Sequence, residues 1–107
     1  MIYKFKSKAA GDVIMTGPAG DDVLRVVGKT AAAQGIIEAG SMSAAIAAIE
    51  QAVAADESAR AQAEKEAAAE GRKLAPRDGV TLRQRAWPLA EMMKRSMAES
   101  ADIVWGV

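Results

Sequence analysis

A chain of 107 residues can bury one modest hydrophobic core, so we expect a single domain spanning residues 1–107. The sequence contains no histidine and no cysteine, which excludes disulfides, thiol nucleophiles and thiolate metal sites and leaves no side chain that ordinarily titrates near neutral pH. The formal net charge is zero, which argues against a strongly basic nucleic-acid-binding domain.

The first residues predict a β-hairpin. Residues 2–7 alternate the aromatic side chains of Tyr3 and Phe5 with lysines, a pattern typical of a strand with one face in the core. A short connection at 8–11 leads to the β-branched residues of 12–16, which we expect to pair back as a second strand.

A glycine-rich segment follows the hairpin. Gly17–Gly20 is predicted to break the chain, after which Asp21 or Asp22 caps a short helix that Gly28 closes. The same segment could hold a phosphate or, together with Asp12, a hard cation. However, the Walker lysine and serine and the spacing of an EF-hand are both missing, so we favour a plain turn with acidic capping.

The next elements are a brief strand at 35–38 and a helix with Ser41 at its amino-terminal cap. The apolar residues of this helix recur at helical spacing, and we expect them to pack on the sheet. They are Met42, Ile46, Ile49 and Val53.

The segment 56–79 has little to bury, because it consists mostly of alanine and charged residues. We expect a solvated helical extension that frays toward Gly71, followed by a mobile linker over 72–79 that contains Pro76.

A second main helix is predicted to begin at Thr81, because Thr81 and Gln84 match a capping box. Its apolar stripe consists of Leu82, Ala86, Leu89, Met93 and Met97. Pro88 lies inside the stripe, and we expect it to kink the helix and not to start it.

The closing residues, Asp102–Val107, are apolar and strand-like. We expect them to pair beside the amino-terminal strand; the alternative is that Trp105 is exposed in an interface with another chain. The elements together predict an α+β fold, with a small mixed or antiparallel sheet of about four short strands and two main helices packed on one face.

Four segments carry a resemblance to a known family. They are residues 1–15, the Gly-Ile-Ile of 35–37, the Leu-Arg-Gln-Arg-Ala-Trp-Pro-Leu of 82–89, and the Asp-Ile-Val-Trp-Gly-Val of 102–107. The combination resembles the small bacterial proteins grouped as domain of unknown function 1840. The resemblance implies bacterial origin and no established activity. Residues 56–79 are the part least tied to the pattern, so we expect no functional residue there.

One cluster of residues predicts an interaction surface. A helix would place an indole, that of Trp87, among cationic side chains, including that of Lys94, an arrangement that suits anionic or protein partners. The alternative is that the indole belongs to the core and the arginines pair with the acidic stretch 31–70, which has seven acidic and two basic residues. With the apolar carboxyl end added, the candidate surface consists of Arg83, Arg85, Trp87, Arg95 and Trp105.

We therefore expect a non-enzymatic interaction or accessory protein of the bacterial cytoplasm, able to self-associate, with no cofactor and no metal. The alternative is a module that binds nucleic acid or an anionic ligand through Lys4, Lys6, Arg83, Arg85 and Arg95. No stretch approaches the length of a membrane span and no secretory pattern opens the sequence, so we expect no membrane partner.

Overall fold

The computed structural model describes residues 2–75 and 81–107, which form one antiparallel sheet and three α-helices. The strands are β1 (Ile2–Ser7), β2 (Ala10–Thr16), β3 (Gly35–Ile37) and β4 (Ile103–Trp105), in the order β2-β1-β4-β3. The helices are α1 (Gly17–Val26), α2 (Met42–Ala69) and α3 (Leu82–Ala98), and a short 3-10 turn at Ala39–Ser41 precedes α2. The predicted α+β class is confirmed.

The predicted hairpin and the predicted place of the carboxyl-terminal strand are both present. Phe5 of β1 lies opposite Val13 of β2 on one side and opposite Trp105 of β4 on the other. Tyr3 and Phe5 are buried and stack on each other, with their ring centroids 5.8 Å apart. The aromatic side chains of β1 therefore form the centre of the core.

The glycine-rich segment is part of a helix, so the prediction of a chain break capped by Asp21 or Asp22 is wrong. α1 begins at Gly17, with Pro18 in its first turn, where the fixed φ of proline suits a helix. Gly20 packs against the Tyr3 ring, where an added Cβ would lie 2.0 Å from Cδ2. The Tyr3 hydroxyl donates to Asp21, so this carboxylate holds the core tyrosine instead of a helix end.

α2 carries its predicted apolar stripe into the core: Met42, Ile46, Ile49 and Val53 are all buried. Ser41 stands at the predicted cap position, but its side chain makes no capping hydrogen bond. The Asp102 carboxylate instead accepts from the Ala39 amide at 2.8 Å, at the turn that leads into the helix. The turn before α2 is therefore bound by Asp102, the residue that precedes β4.

α2 continues to Ala69, and its residues beyond Val53 are mostly exposed. Gly71 adopts a φ of +72° and closes the helix in a Schellman-type turn, with the Arg72 amide donating to the Ala67 carbonyl. The chain then returns along the helix, since the Arg60 guanidinium donates to the Ala75 carbonyl at 2.8 Å. The rest of the predicted linker, residues 76–80, lies outside the described residues.

α3 begins with the predicted capping box: the Thr81 hydroxyl accepts from the Gln84 amide, and the Gln84 side chain accepts from the Thr81 amide. The helix continues through Pro88, as predicted. Met97 does not belong to the buried stripe, since 43% of its surface is exposed. Ser96 is buried in its place, with its hydroxyl 2.8 Å from that of Ser7.

Candidate functional site

The exposed face of α3 is built around Trp87. The capping box fixes where the helix begins, and positions 83, 87 and 94 then lie on one side of it, since they are four and seven residues apart. The indole of Trp87 is 52% exposed, and the Lys94 ammonium lies 5.5 Å from its ring centroid, within the range of a cation–π contact. Trp87 and Lys94 are therefore in contact on an exposed side of α3, and whether this side binds a partner stays a prediction.

An apolar groove between α2 and α3 lies beside the indole; we call it the Trp87 groove. It has a volume of about 100 Å³. Its lining consists of Ile49, Glu50, Val53, Arg83, Ala86, Trp87, Ala90 and Lys94. On another side of the indole, Gln84 and Pro88 border an open depression of about 440 Å³ together with Arg83 and Trp87. The indole can therefore be reached from two sides.

Arg83 borders the groove and ties α3 to α2. Its guanidinium donates two hydrogen bonds to the Glu57 carboxylate, at 2.9 and 2.8 Å, the paired geometry that arginine and carboxylate groups favour. The hydrogen bonding and the charge of Glu57 raise the pKa of Arg83 above its ordinary value. The side chain is thus oriented at the end of the groove by the acidic part of α2.

Arg85 and Arg95 are not part of the Trp87 groove. Arg85 lies about 160° around the helix from Trp87, given 3.6 residues per turn, and its guanidinium donates to Asp22 of α1 at 2.9 Å. Arg95 is exposed and lies about 80° around the helix from Trp87 on the same geometry. The predicted cluster is therefore divided among separate sides of α3.

Trp105 does not lie on a surface, so its inclusion in the candidate surface is wrong. It is 2% exposed, and its ring centroid lies 5.8 Å from that of Phe5. The indole NH donates to the Ala32 carbonyl at 2.9 Å. Ile103 and Trp105 are buried because β4 pairs between β1 and β3 and turns these two side chains into the core, whereas Val107 is exposed.

A second exposed apolar region was missed by the sequence reasoning. The sheet face turned away from the helices carries three exposed isoleucines, Ile2, Ile14 and Ile36. Lys4 and Lys6 lie on the same face of β1, because they alternate with the buried Tyr3 and Phe5. The sequence of β1 already indicates the position of Ile2, because Ile2, like Lys4 and Lys6, alternates with the buried Tyr3 and Phe5.

The comparison with protein families decides where the chain belongs. The family described as domain of unknown function (DUF1840) matches residues 1–105 of the 107. The chain belongs to this family. The match covers nearly all of the chain and confirms the resemblance read from its segments. No curated protein and no solved structure matches the chain.

Two further findings concern the residues that the structure describes. Within 2–75 and 81–107, no three acidic side chains come together in a way that could hold a metal ion. Over the same ranges, no helix has both the length and the hydropathy needed to cross a bilayer.

Proposed function

We propose that the chain is a non-enzymatic protein-binding module whose binding surface is centred on the Trp87 groove. The observation that carries this proposal is the half-exposed indole beside an apolar groove. Tryptophan and arginine side chains supply much of the binding energy of protein interfaces, most of all beside pockets that exclude water. Here Arg83 is already oriented by Glu57, so little of its freedom is lost on binding.

The size of the groove supports a protein partner over a small molecule. Pockets for small molecules typically enclose about 300–1,000 Å³, whereas the Trp87 groove has about 100 Å³. That volume fits one aliphatic side chain of a partner. The wider depression is bordered by only four residues, which suits a passing peptide segment more than an enclosed ligand.

Nucleic-acid binding has weaker support. Lys4 and Lys6 lie on the face of the sheet away from the helices, whereas Arg83, Arg85 and Arg95 lie on α3. Two of those arginines already hold carboxylates of the chain. We also propose a cytoplasmic location, with which the lack of cysteine agrees.

The proposal is tested first by photo-crosslinking in cells that produce the protein. A crosslinking amino acid, p-benzoylphenylalanine, replaces Trp87 in one variant and Gln62, on the exposed side of α2, in the control. We expect a discrete protein adduct from position 87 that is absent from position 62. An adduct at both positions indicates contact by chance and contradicts the proposal.

The partner identified in the adduct is then purified. Its affinity is measured for the unaltered chain and for three variants of the chain. We expect Trp87→Ala to weaken binding by about thirtyfold or more, the loss of roughly 2 kcal/mol that defines a hot spot, and Trp87→Phe to retain most of the affinity. Met97→Ala is the matched control, because Met97 is an exposed apolar residue of the same helix. Equal losses from Met97→Ala and Trp87→Ala would contradict the proposal.

A further inference from the structure

The sheet face turned away from the helices has an unusual composition. We call it the open sheet face and define it by Ile2, Lys4, Lys6, Asp12, Ile14, Ile36 and Val104. Its three isoleucines are 71%, 65% and 40% exposed, in chain order, and Val104 is half-buried. An antiparallel sheet with one face in water ordinarily carries polar residues there. Four β-branched apolar residues on such a face indicate a surface that another molecule covers.

The registers place these side chains side by side. Lys4 of β1 lies opposite Ile14 of β2, and Lys6 of β1 lies opposite Val104 of β4. Val104 in turn lies opposite Ile36 of β3. The two lysines therefore occupy the middle of the face, with an apolar group on each side of them.

The charges of the face select the kind of partner. Lys4 has an acidic neighbour, Asp12, at 3.5 Å, whereas the Lys6 ammonium donates to the Val107 backbone oxygen at 3.1 Å. The two ammonium groups thus lie in the middle of the face, and the carboxylate of Asp12 lies on the edge strand β2. A second copy stacked on it would bring the lysines of the two copies together, and like charges within an interface oppose binding. A segment with carboxylates between apolar residues would match both features.

We propose that the open sheet face binds an acidic amphipathic segment of a partner protein, with its apolar side chains on the isoleucines and its carboxylates on Lys4 and Lys6. This surface is separate from the Trp87 groove, because the core lies between the sheet's open face and the exposed side of α3. A negative result at the open sheet face therefore does not bear on binding at the Trp87 groove, and the reverse also holds.

The test uses two synthetic helical peptides with the same leucines, one with glutamate and the other with lysine at every remaining exposed position. Each is titrated into the ¹⁵N-labelled full chain. We expect the glutamate peptide to shift the amide resonances of β1, β2 and β3 and to bind more weakly as salt is added, since exposed ion pairs are screened. The lysine peptide should bind at least about tenfold more weakly. Equal binding of both peptides, or shifts confined to α3, would overturn the proposal.

Matched variants separate the apolar and the charged contributions. Ile14→Gln should weaken binding of the glutamate peptide by about tenfold, whereas Met97→Gln, which makes the same apolar-to-polar change at an exposed residue of α3, should not. Lys6→Gln should weaken binding about fivefold, whereas Lys65→Gln on the exposed part of α2 should not. These sites are all outside the core, so the variants should keep the native circular dichroism spectrum.

Light scattering on the free protein gives the remaining outcome. In place of the self-association expected from the sequence, the lysines of the face lead us to expect a monomer whose open sheet face is vacant until the peptide is added. A stable dimer that Ile14→Gln converts to a folded monomer would overturn the proposal, because a second copy would then cover the face.

Discussion

Replacing Gly35 with alanine tests whether Trp105 fixes the edge of the sheet. A Cβ at this position would lie 2.1 Å from Cζ2 of the Trp105 ring, whereas carbon atoms in contact normally lie about 3.5–4.0 Å apart. The ring cannot easily retreat, because it packs on Phe5 and its NH donates to the Ala32 carbonyl at 2.9 Å. Overpacking of this kind costs about 1–3 kcal/mol, and we expect Gly35→Ala to lie at the upper end.

The reasoning is checked by a double-mutant cycle measured by urea unfolding and far-ultraviolet circular dichroism. Trp105→Phe removes the half of the indole that the new methyl group would meet, so Gly35→Ala should cost far less in that background, with a coupling energy of about 2 kcal/mol. Gly40→Ala is the control, since a Cβ there would meet nothing within 4 Å. A cost for Gly35→Ala that is the same in both backgrounds would refute the account of Trp105.

Three further predictions concern Tyr3, Ser100 and Thr81. The hydrogen bond to Asp21, burial and the charge of Asp21 raise the pKa of Tyr3 above its ordinary value. The stabilisation that comes from this shift should therefore be fully present below the pKa of the unfolded tyrosine and be lost as the pH rises through the pKa of the folded one. Tyr3 is the single tyrosine, so absorbance titration reports it alone, and Asp21→Ala should lower its midpoint. Ser100 has a φ of 53°, so Ser100→Gly should raise the free energy of unfolding by about 1 kcal/mol in urea titrations, and no gain would contradict the strain. Thr81→Ala should cost about 1 kcal/mol by the same measurement, whereas Ser41→Ala, which removes no capping bond, should cost clearly less.

The sequence predicts those parts of the fold that local patterns determine. The alternation at Tyr3 and Phe5, the helical spacing from Met42 to Val53 and the capping box at Thr81 each place an element correctly. Each of these signals lies within a few residues of the element it defines, and no contact with a distant segment overrides it.

The errors occur where a distant contact decides the local structure. Gly17–Gly20 reads as a chain break, but Gly20 is the residue that fits against the Tyr3 ring, so the helix can begin earlier. Ser41 reads as a cap, but Asp102 supplies the acceptor at the preceding turn. Neither Tyr3 nor Asp102 is close in sequence to the segment that it organises, so local propensity alone cannot predict these contacts.

The candidate site was only partly predictable for the same reason. Spacing on α3 brings Trp87 and Lys94 together, and this contact follows from the sequence. The positions of Arg85 and Arg95 on other sides of α3 also follow from their spacing. The carboxylates that bind Arg83 and Arg85 could not be predicted, because Glu57 and Asp22 belong to two other helices.

Two arginines of α3 pair with acidic side chains of other helices. Arg83 pairs with Glu57 of the acidic stretch 31–70, and Arg85 pairs with Asp22 of α1. Basic residues that hold the chain's own carboxylates are a weak sign of nucleic-acid binding, whereas exposed apolar side chains have no such internal use. Both proposals therefore rest on exposed apolar side chains, those of Trp87 and of the isoleucines of the open sheet face. Because they lie on opposite sides of the core, one partner at each would not collide, and variants at one surface should leave binding at the other unchanged.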